Sequence, residues 1–403
     1  MTKGSDTGFD TARLARLDRH FQQYVDDGRL VGWQLQVGRH GQVAHSATYG
    51  LADREAGRPV AEDTLWRIYS MTKPVVSVAA MLLWEEGAFE LTDEISRFLP
   101  AFADVQVFDK GSNTKAFLVP ASEPVRMWHL LTHTSGLTYG FLEVHPVDAM
   151  YRAAGFALGN PPGNDLAANC DVWASLPLKF QPGSQWGYGV STDVLGRVVE
   201  VLSGQPLDVF VKERVLDPLG MSDTRWWVDG PDVDRLAGLY AAWEGGTIRY
   251  DTLGDSALKP PVMLSGGGGL ISTAADYWQF CRMLLGRGEA GGARLLAPRT
   301  VELMTRNHLP GGADLGQLNS GGFAETVFDG IGFGLGFATT MDAAPGKGAS
   351  SVGEYYWGGL ASTAFWVDPL TGVTATFFTQ LVPSSTYPIR AQLRQLVYSA
   401  LLD

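Results

Sequence analysis

Apolar positions along the chain recur with two periods, and the changes between them mark out the elements. Leu14, Leu17, Phe21 and Tyr24 fall on one face at helical spacing and Gly28 ends the run, which predicts an N-terminal helix. Trp33, Leu35 and Val37 then alternate with Gln34 and Gln36. Arg39-His40-Gly41-Gln42 makes a turn into a second strand through Val43. The C-terminal end mirrors this arrangement. Ala364–Val367 and Val373–Phe378 flank an Asp368-Pro369-Leu370-Thr371-Gly372 turn, and Ile389, Leu393, Leu396, Val397 and Ala400 form a final helix face. The symmetry predicts an α+β fold in which one antiparallel sheet is built from both termini and flanked by helices. Residues 1–89 and 283–403 are expected to form a discontinuous α/β lobe. Residues 90–282, richer in helical patterns, are expected to form an inserted, mostly helical lobe, with the active site between the two. Asp109 to Pro124 and Asp251 to Pro261 read as long loops.

Charge and composition narrow the class. Of 403 residues, 45% are hydrophobic and 18% charged, which suits a packed globular chain rather than a disordered one. The formal net charge of −12 repels phosphate backbones and anionic membrane surfaces, so neither nucleic acid nor membrane is an expected partner. No stretch approaches 18 uninterrupted apolar residues, and the N-terminal Met1–Asp10 lacks a secretory apolar run, so a cytoplasmic location is expected. Cys170 and Cys281, the only cysteines, stand in no metal-ligand spacing, and the pattern neither demands nor excludes a disulfide. Nothing in it speaks to an oligomeric state.

Candidate chemistry begins with Ser-x-x-Lys, which occurs at Ser70–Lys73, Ser112–Lys115 and Ser256–Lys259. On the order of one match is expected by chance in a chain this long, so context must decide. Ser112 lies in a polar, Gly-containing stretch, and Lys259-Pro260-Pro261 stops any helix after Ser256. Ser70 instead leads into an apolar run through Trp84, with Pro74 tolerated in the first helical turn, where N–H groups lack intrahelical partners. A serine there keeps a free N–H near the positive end of the helix dipole, and Lys73 lies one turn on. This segment alone also fits an N-cap serine with a surface lysine. To act as a base, the lysine must shift from about 10.4 to near 7, roughly 4–5 kcal/mol of differential stabilisation, which calls for a second polar group. Tyr188 offers one: Pro182-Gly183 makes a turn, and Ser191–Glu200 opens a helix with Val194, Val198 and Val201 on one face. By itself this tyrosine also fits a structural role.

Taken together, these segments resemble the serine beta-lactamase and penicillin-binding-protein superfamily, and most closely its class C-like esterases, the family VIII carboxylesterases. Trp66–Lys73 is similar to the nucleophile segment, Leu130–Leu137 to a segment between the first two motifs, Pro182–Arg197 to the tyrosine motif, and Tyr356-Trp357-Gly358-Gly359 to the third. The resemblance implies a serine carboxylesterase that hydrolyses small carboxylic esters through an acyl-enzyme on Ser70. Lys73 and Tyr188 would handle protons, and the backbone N–H groups of Ser70 and Leu360 would form the oxyanion hole. Neither metal nor other cofactor is implied.

Departures from the beta-lactamase pattern sharpen the expectation. Val190 stands where Tyr-x-Asn has its Asn, and Trp357-Gly358-Gly359 stands for Lys-Thr-Gly. The polar groups of a beta-lactam would lose partners at about 1–3 kcal/mol each, so weak turnover is expected. Tyr139, Trp186, Val190, Trp357, Gly358 and Gly359 are then candidate substrate contacts, the aromatics suiting an apolar acyl or alcohol portion. An acyltransferase, a peptidase or amidase for D-amino-acid substrates, a weak beta-lactamase and a penicillin-binding-type sensor are the alternatives within the superfamily. No Gly-x-Ser-x-Gly is present to support an alpha/beta-hydrolase. His129 and His133 are one helical turn apart but lack the Glu and third ligand of a zinc site. Gly266–Gly269 has no following Gly-Lys-Ser/Thr and reads as a tight turn, with Thr273 and Asp276 as a capping box.

Overall fold

Pairing of the two chain ends organises the molecule. In the computed structural model, which describes residues 7–319, 321 and 328–402, helix α1 (Thr11–Asp26) is capped by Asp10, whose carboxylate accepts from the Ala12 and Arg13 N–H groups. Residues 1–6, part of the N-terminal stretch read above, lie outside the described residues. The strands β1 (Gly32–Arg39), β2 (Gln42–Asp53) and β3 (Arg58–Pro59) join β4 (Ile331–Phe333), β5 (Ala338–Thr340), β6 (Tyr355–Gly358), β7 (Ala364–Asp368) and β8 (Val373–Phe378) in one sheet. Its order is β4-β5-β6-β7-β8-β1-β2-β3, antiparallel throughout, with Leu35 opposite Phe377 and Val37 opposite Ala375 at the junction of the two ends.

Both faces of β1 are covered, which the polar half of its alternation did not foretell. On one face Phe21 of α1 meets Phe377 at 4.8 Å, and the Trp33 indole donates to the Phe21 carbonyl at 2.9 Å. On the other, Gln34 and Gln36 are buried as well. Gln34 accepts from the Trp66 indole at 2.9 Å and donates to the Glu62 carbonyl, so its amide is satisfied out of water. The C-terminal helix Ile389–Ala400 packs beside α1, burying Ile389, Leu393, Val397 and Ala400 while Leu396 stays half-buried.

Helix Thr72–Glu85 is apolar on every side and buried from Thr72 to Leu83. It packs against helix Ser191–Ser203. There Val194 and Val198 face inward as expected, but Val201, on the predicted face, is 40% exposed because that helix ends at Gly204 beyond the core contact. Residues 109–124 are not a loop: Gln106–Gly111 and Ala116–Pro120 form an antiparallel hairpin with Phe108 opposite Leu118, its turn closed by Ser112 and Lys115. The second supposed loop contains the short helices Asp251–Gly254 and Asp255–Leu258, pinned by the Arg67 guanidinium on the Gly254 carbonyl. The expected capping box at Thr273 is only half made. Thr273 accepts from the Asp276 N–H, whereas the Asp276 carboxylate turns to the Asp223 N–H and Thr224 hydroxyl. Cys170 and Cys281 are both free and buried. Among the described residues no helix is long and apolar enough to cross a membrane.

Phe21 bridges α1 to β1 and β8. Phe21→Ala should therefore cost about 3–5 kcal/mol, read as a lowered urea midpoint.

Candidate active site

Ser70 sits in a 3-10 turn, Tyr69–Met71, that runs directly into the buried helix Thr72–Glu85. Three tethers fix the turn. Trp66–Arg67 pairs with Ile271–Ser272, the Leu270 N–H donates to the Thr72 hydroxyl at 3.0 Å, and the Tyr277 hydroxyl donates to the Met71 carbonyl at 3.0 Å. Tyr69 is held at φ 43°, a left-handed conformation that side chains other than glycine seldom adopt. That bend leaves Ser70 partly exposed at the head of an otherwise buried segment.

Lys73 is buried, and its ammonium reaches three acceptors: the Gly267 carbonyl at 2.7 Å, the Tyr139 hydroxyl at 3.0 Å and Ser70 Oγ at 3.3 Å. The set serves either protonation state. Charged, Lys73 donates to all three; neutral, it still donates to the carbonyl and Tyr139, and its lone pair faces Ser70 Oγ. Its Nζ also lies 4.5 Å from the centre of the Tyr188 ring. Tyr188 precedes helix Ser191–Ser203, and its loop leans on the Leu130–Leu137 segment, the Gly183 N–H donating to Thr134 and the Gly187 N–H to His133. A Cβ at Gly189 would meet the Leu137 carbonyl at 2.4 Å, so only glycine lets the loops approach. Their tyrosines, Tyr139 and Tyr188, meet edge-to-face at 5.5 Å.

The third motif reaches the same place from the sheet. Trp357 on β6 donates its indole N–H to the Tyr188 hydroxyl at 3.2 Å. A Cβ at Gly359 would come within 2.4 Å of the Ile68 carbonyl, so the turn after β6 lies against the residues leading into Ser70. Leu360 packs in a small apolar cluster with Tyr69, Tyr250 and Leu253. Among the described residues, neither the Ser70 nor the Leu360 backbone N–H has a protein acceptor.

The remaining candidates divide by exposure. Tyr139 is half-buried and belongs to the lysine's own hydrogen-bond set, a closer role than the apolar contact expected of it. Trp186 is fully buried, stacked on Tyr188 at 6.0 Å and packed on Phe333, so it backs the tyrosine instead of presenting a face to a cleft. Val190 and Trp357 are each 4% exposed, within the main core.

Two participants escaped the sequence reading. Gly267, part of a supposed tight turn, supplies the carbonyl on Lys73. Asp193, fully inside the protein, accepts from the Gly267 N–H at 3.0 Å and the Ser265 hydroxyl at 2.6 Å. Burial raises the Asp193 carboxyl above its ordinary range, opposed by the Lys73 charge and these two donors. Burial, with Asp193 and Tyr188 adding to it, pushes the Tyr139 phenol well above 10, so it remains a neutral hydroxyl. The glycine run is packed tightly: Cβ atoms at Gly266, Gly267 and Gly269 would meet Thr192, Asp193 and Trp226 at 2.4–2.6 Å, an approach that only the fold reveals.

The paired histidines take separate packing positions. His129 Nδ1 accepts from the Arg126 N–H at 3.0 Å, and His133 lies 5.0 Å from the Tyr188 ring. Burial, reinforced by Lys73, drives His133 well below 6.5, and burial with Arg126 takes His129 to about 3. No group of three or more His, Cys, Asp or Glu among the described residues could hold a metal ion.

Comparison with known proteins places the whole chain among relatives. A family model described as Beta-lactamase matches residues 17–399. Esterase EstB of Burkholderia gladioli is 34% identical over 413 residues, covering 97% of this chain and 96% of that protein. Lovastatin esterase of Penicillium rubens is 28% identical over 94% of this chain and 96% of its own. Among solved structures, EstCE1, described as a hydrolase with promiscuous acyltransferase activity, superposes with a TM-score of 0.82 at 28% identity, covering 96% of this chain and 99% of that one.

Two outcomes test the geometry. A hydrogen bond to a charged group is worth about 1.5–3 kcal/mol, so Tyr139→Phe should slow fluorophosphonate labelling of Ser70, followed by intact mass, roughly ten- to hundredfold. An unfolded chain protonates His129 near 6.5 and the folded one only near 3, so the ring's contribution to stability is complete above 6.5 and lost as pH falls from there to about 3. His129→Gln should flatten the fall in urea midpoint between about pH 6 and pH 4.

Proposed function

The chain belongs to the beta-lactamase family, and from that premise we propose that it is a serine carboxylesterase of the family VIII type, hydrolysing small carboxylic esters through an acyl-enzyme on Ser70. The observation that carries the proposal is Lys73 Nζ at 3.3 Å from Ser70 Oγ, with a carbonyl and a neutral phenol also accepting from the amine. Lys73 and Tyr188 act as a coupled pair: Ser70 gives up its proton as Oγ attacks the ester carbonyl, and Tyr188 returns one to the leaving alkoxide. The Ser70 and Leu360 N–H groups hold the tetrahedral oxyanion. A water then attacks the acyl-enzyme by the same route and releases the acid. The two-lobe division, residues 1–89 with 283–403 against 90–282, belongs to this reading and sets the cleft between them.

Two features favour an ester over a beta-lactam. At the two positions where the beta-lactamase motifs carry Asn and Lys, this chain has Val190 in the core and Trp357 with its indole N–H on Tyr188. Neither presents a free polar group to an amide side chain or a carboxylate, and each unmet partner weakens binding by about 1–3 kcal/mol. Acyl transfer to an alcohol is the second reading. It is favoured by the likeness to EstCE1 and needs only an acceptor other than water.

Purified protein should hydrolyse p-nitrophenyl butyrate rapidly and nitrocefin slowly, with Ser70→Ala lowering ester turnover at least ~10³-fold. Ester turnover that survives Ser70→Ala would sink the nucleophile assignment, and fast nitrocefin cleavage would sink the substrate class. A transesterified product on adding a short alcohol would establish the second reading.

A further inference from the structure

The oxyanion donor proposed for Leu360 is one end of a peptide group whose other end is held by a cation. Arg390, the second residue of helix Ile389–Ala400, donates from one Nη to the Gly359 carbonyl at 2.9 Å and to the Thr363 carbonyl at 3.1 Å. Those carbonyls close the turn after β6. The Ser362 N–H returns to Gly359 at 3.1 Å, and the Gly359 N–H goes to Thr363 at 3.0 Å. Leu360 occupies the first corner, where the N–H points out of the turn. The Gly359–Leu360 peptide is trans, so its C=O and N–H point in opposite directions. A guanidinium gripping the carbonyl therefore holds the N–H on the side away from itself, in a turn set against the segment leading into Ser70. The turn lies there because Gly359 abuts Ile68.

We propose that Arg390 is a positioning residue for the oxyanion hole: it orients and polarises the Gly359–Leu360 peptide so that the Leu360 N–H is a stronger, fixed donor to the tetrahedral intermediate. Positive charge on an amide oxygen draws electron density from its nitrogen, which strengthens the N–H as a donor, and a charged donor acts more strongly in a site shielded from water. The helix that carries Arg390 is itself anchored to the sheet. Arg394, one turn on, lies over the Tyr356 and Trp366 rings and pairs with the buried Glu354 at 2.9 Å. The third motif leaves room for it as well, since a Cβ at Gly358 would meet the Arg390 guanidinium at 2.3 Å. The two motif glycines thus serve different neighbours: Gly358 admits the cation, and Gly359 admits the nucleophile segment.

The inference rests on the oxyanion hole of the proposed esterase, and a double-mutant cycle separates the two. With p-nitrophenyl butyrate, Arg390→Ala should lower kcat about ten- to hundredfold while KM stays within about twofold, because the lost interaction exists only in the transition state. Arg390→Lys, which keeps the charge but not the planar fork, should fall between, and it carries the test if the alanine variant does not fold. Leu360→Pro deletes the N–H at a turn corner that favours proline and should lower kcat about 10²–10³-fold. Stoichiometric phosphonylation of Ser70 and an unchanged Tm establish that each variant is folded. Adding Arg390→Ala to Leu360→Pro should then cost nothing further. Losses that multiply, or an Arg390→Ala enzyme with wild-type kcat, overturn the role of Arg390 alone. A Leu360→Pro enzyme with wild-type kcat overturns the oxyanion assignment beneath it.

Discussion

Burying an amine is the constraint around which this molecule is built. Lys73 stands in the first turn of a helix that is apolar on all sides, where an unpaired ammonium would be prohibitively costly. The protein offsets that cost with acceptors brought from elsewhere. Gly267 comes from the glycine run, Tyr139 from the loop after His133, and Ser70 from the lysine's own turn. Because none of these loops follows another closely in sequence, the lysine can be satisfied only if the chain folds as it does. The same demand explains the bare backbones at Gly189 and Gly267, where any side chain would keep apart the loops that the amine requires together.

A second layer of groups holds the first in register. Asp193 takes the N–H of Gly267, and Gly267 gives its carbonyl to Lys73, so a buried carboxylate and a buried amine face each other across one glycine. Trp357 donates to Tyr188, Trp186 backs the same ring, and the Leu130–Leu137 turn accepts from the loop carrying it. The Trp357 indole N–H is thereby committed to a protein contact. The two chain ends, paired through β1 and β8, carry the third motif to the segment leading into Ser70.

Much of this was legible in the chain itself, and the reasons are local. Periodicity located the terminal helices because each buries one face, turn residues bounded the terminal strands, and Pro74 with the apolar run after Ser70 singled out one Ser-x-x-Lys of three. Where the reading failed, local rules met competing demands. Gly111, Asn113 and Pro120 looked like a loop because turn residues outweighed a short run of strand residues, yet cross-strand pairing made a hairpin. Alternation reports polarity, not coverage: both Gln34 and Gln36 are buried, with the Gln34 amide bonded to Trp66 and Glu62. Thr273 and Asp276 had capping-box spacing, but Asp276 found better donors fifty residues upstream.

The sequence by itself determined the terminal elements and singled out Ser70, Lys73 and Tyr188 as candidates, because the turn and helix signals around each lie within a few residues. Family likeness extended that to the order of the motifs. Only the tertiary structure decided which groups share the site. Asp193 and Gly267 lie 74 residues apart, and Arg390 reaches Gly359 across 31. Such partners carry no local signature, since a carboxylate, a carbonyl and a guanidinium acquire their roles here only from what the fold places within 3 Å of them.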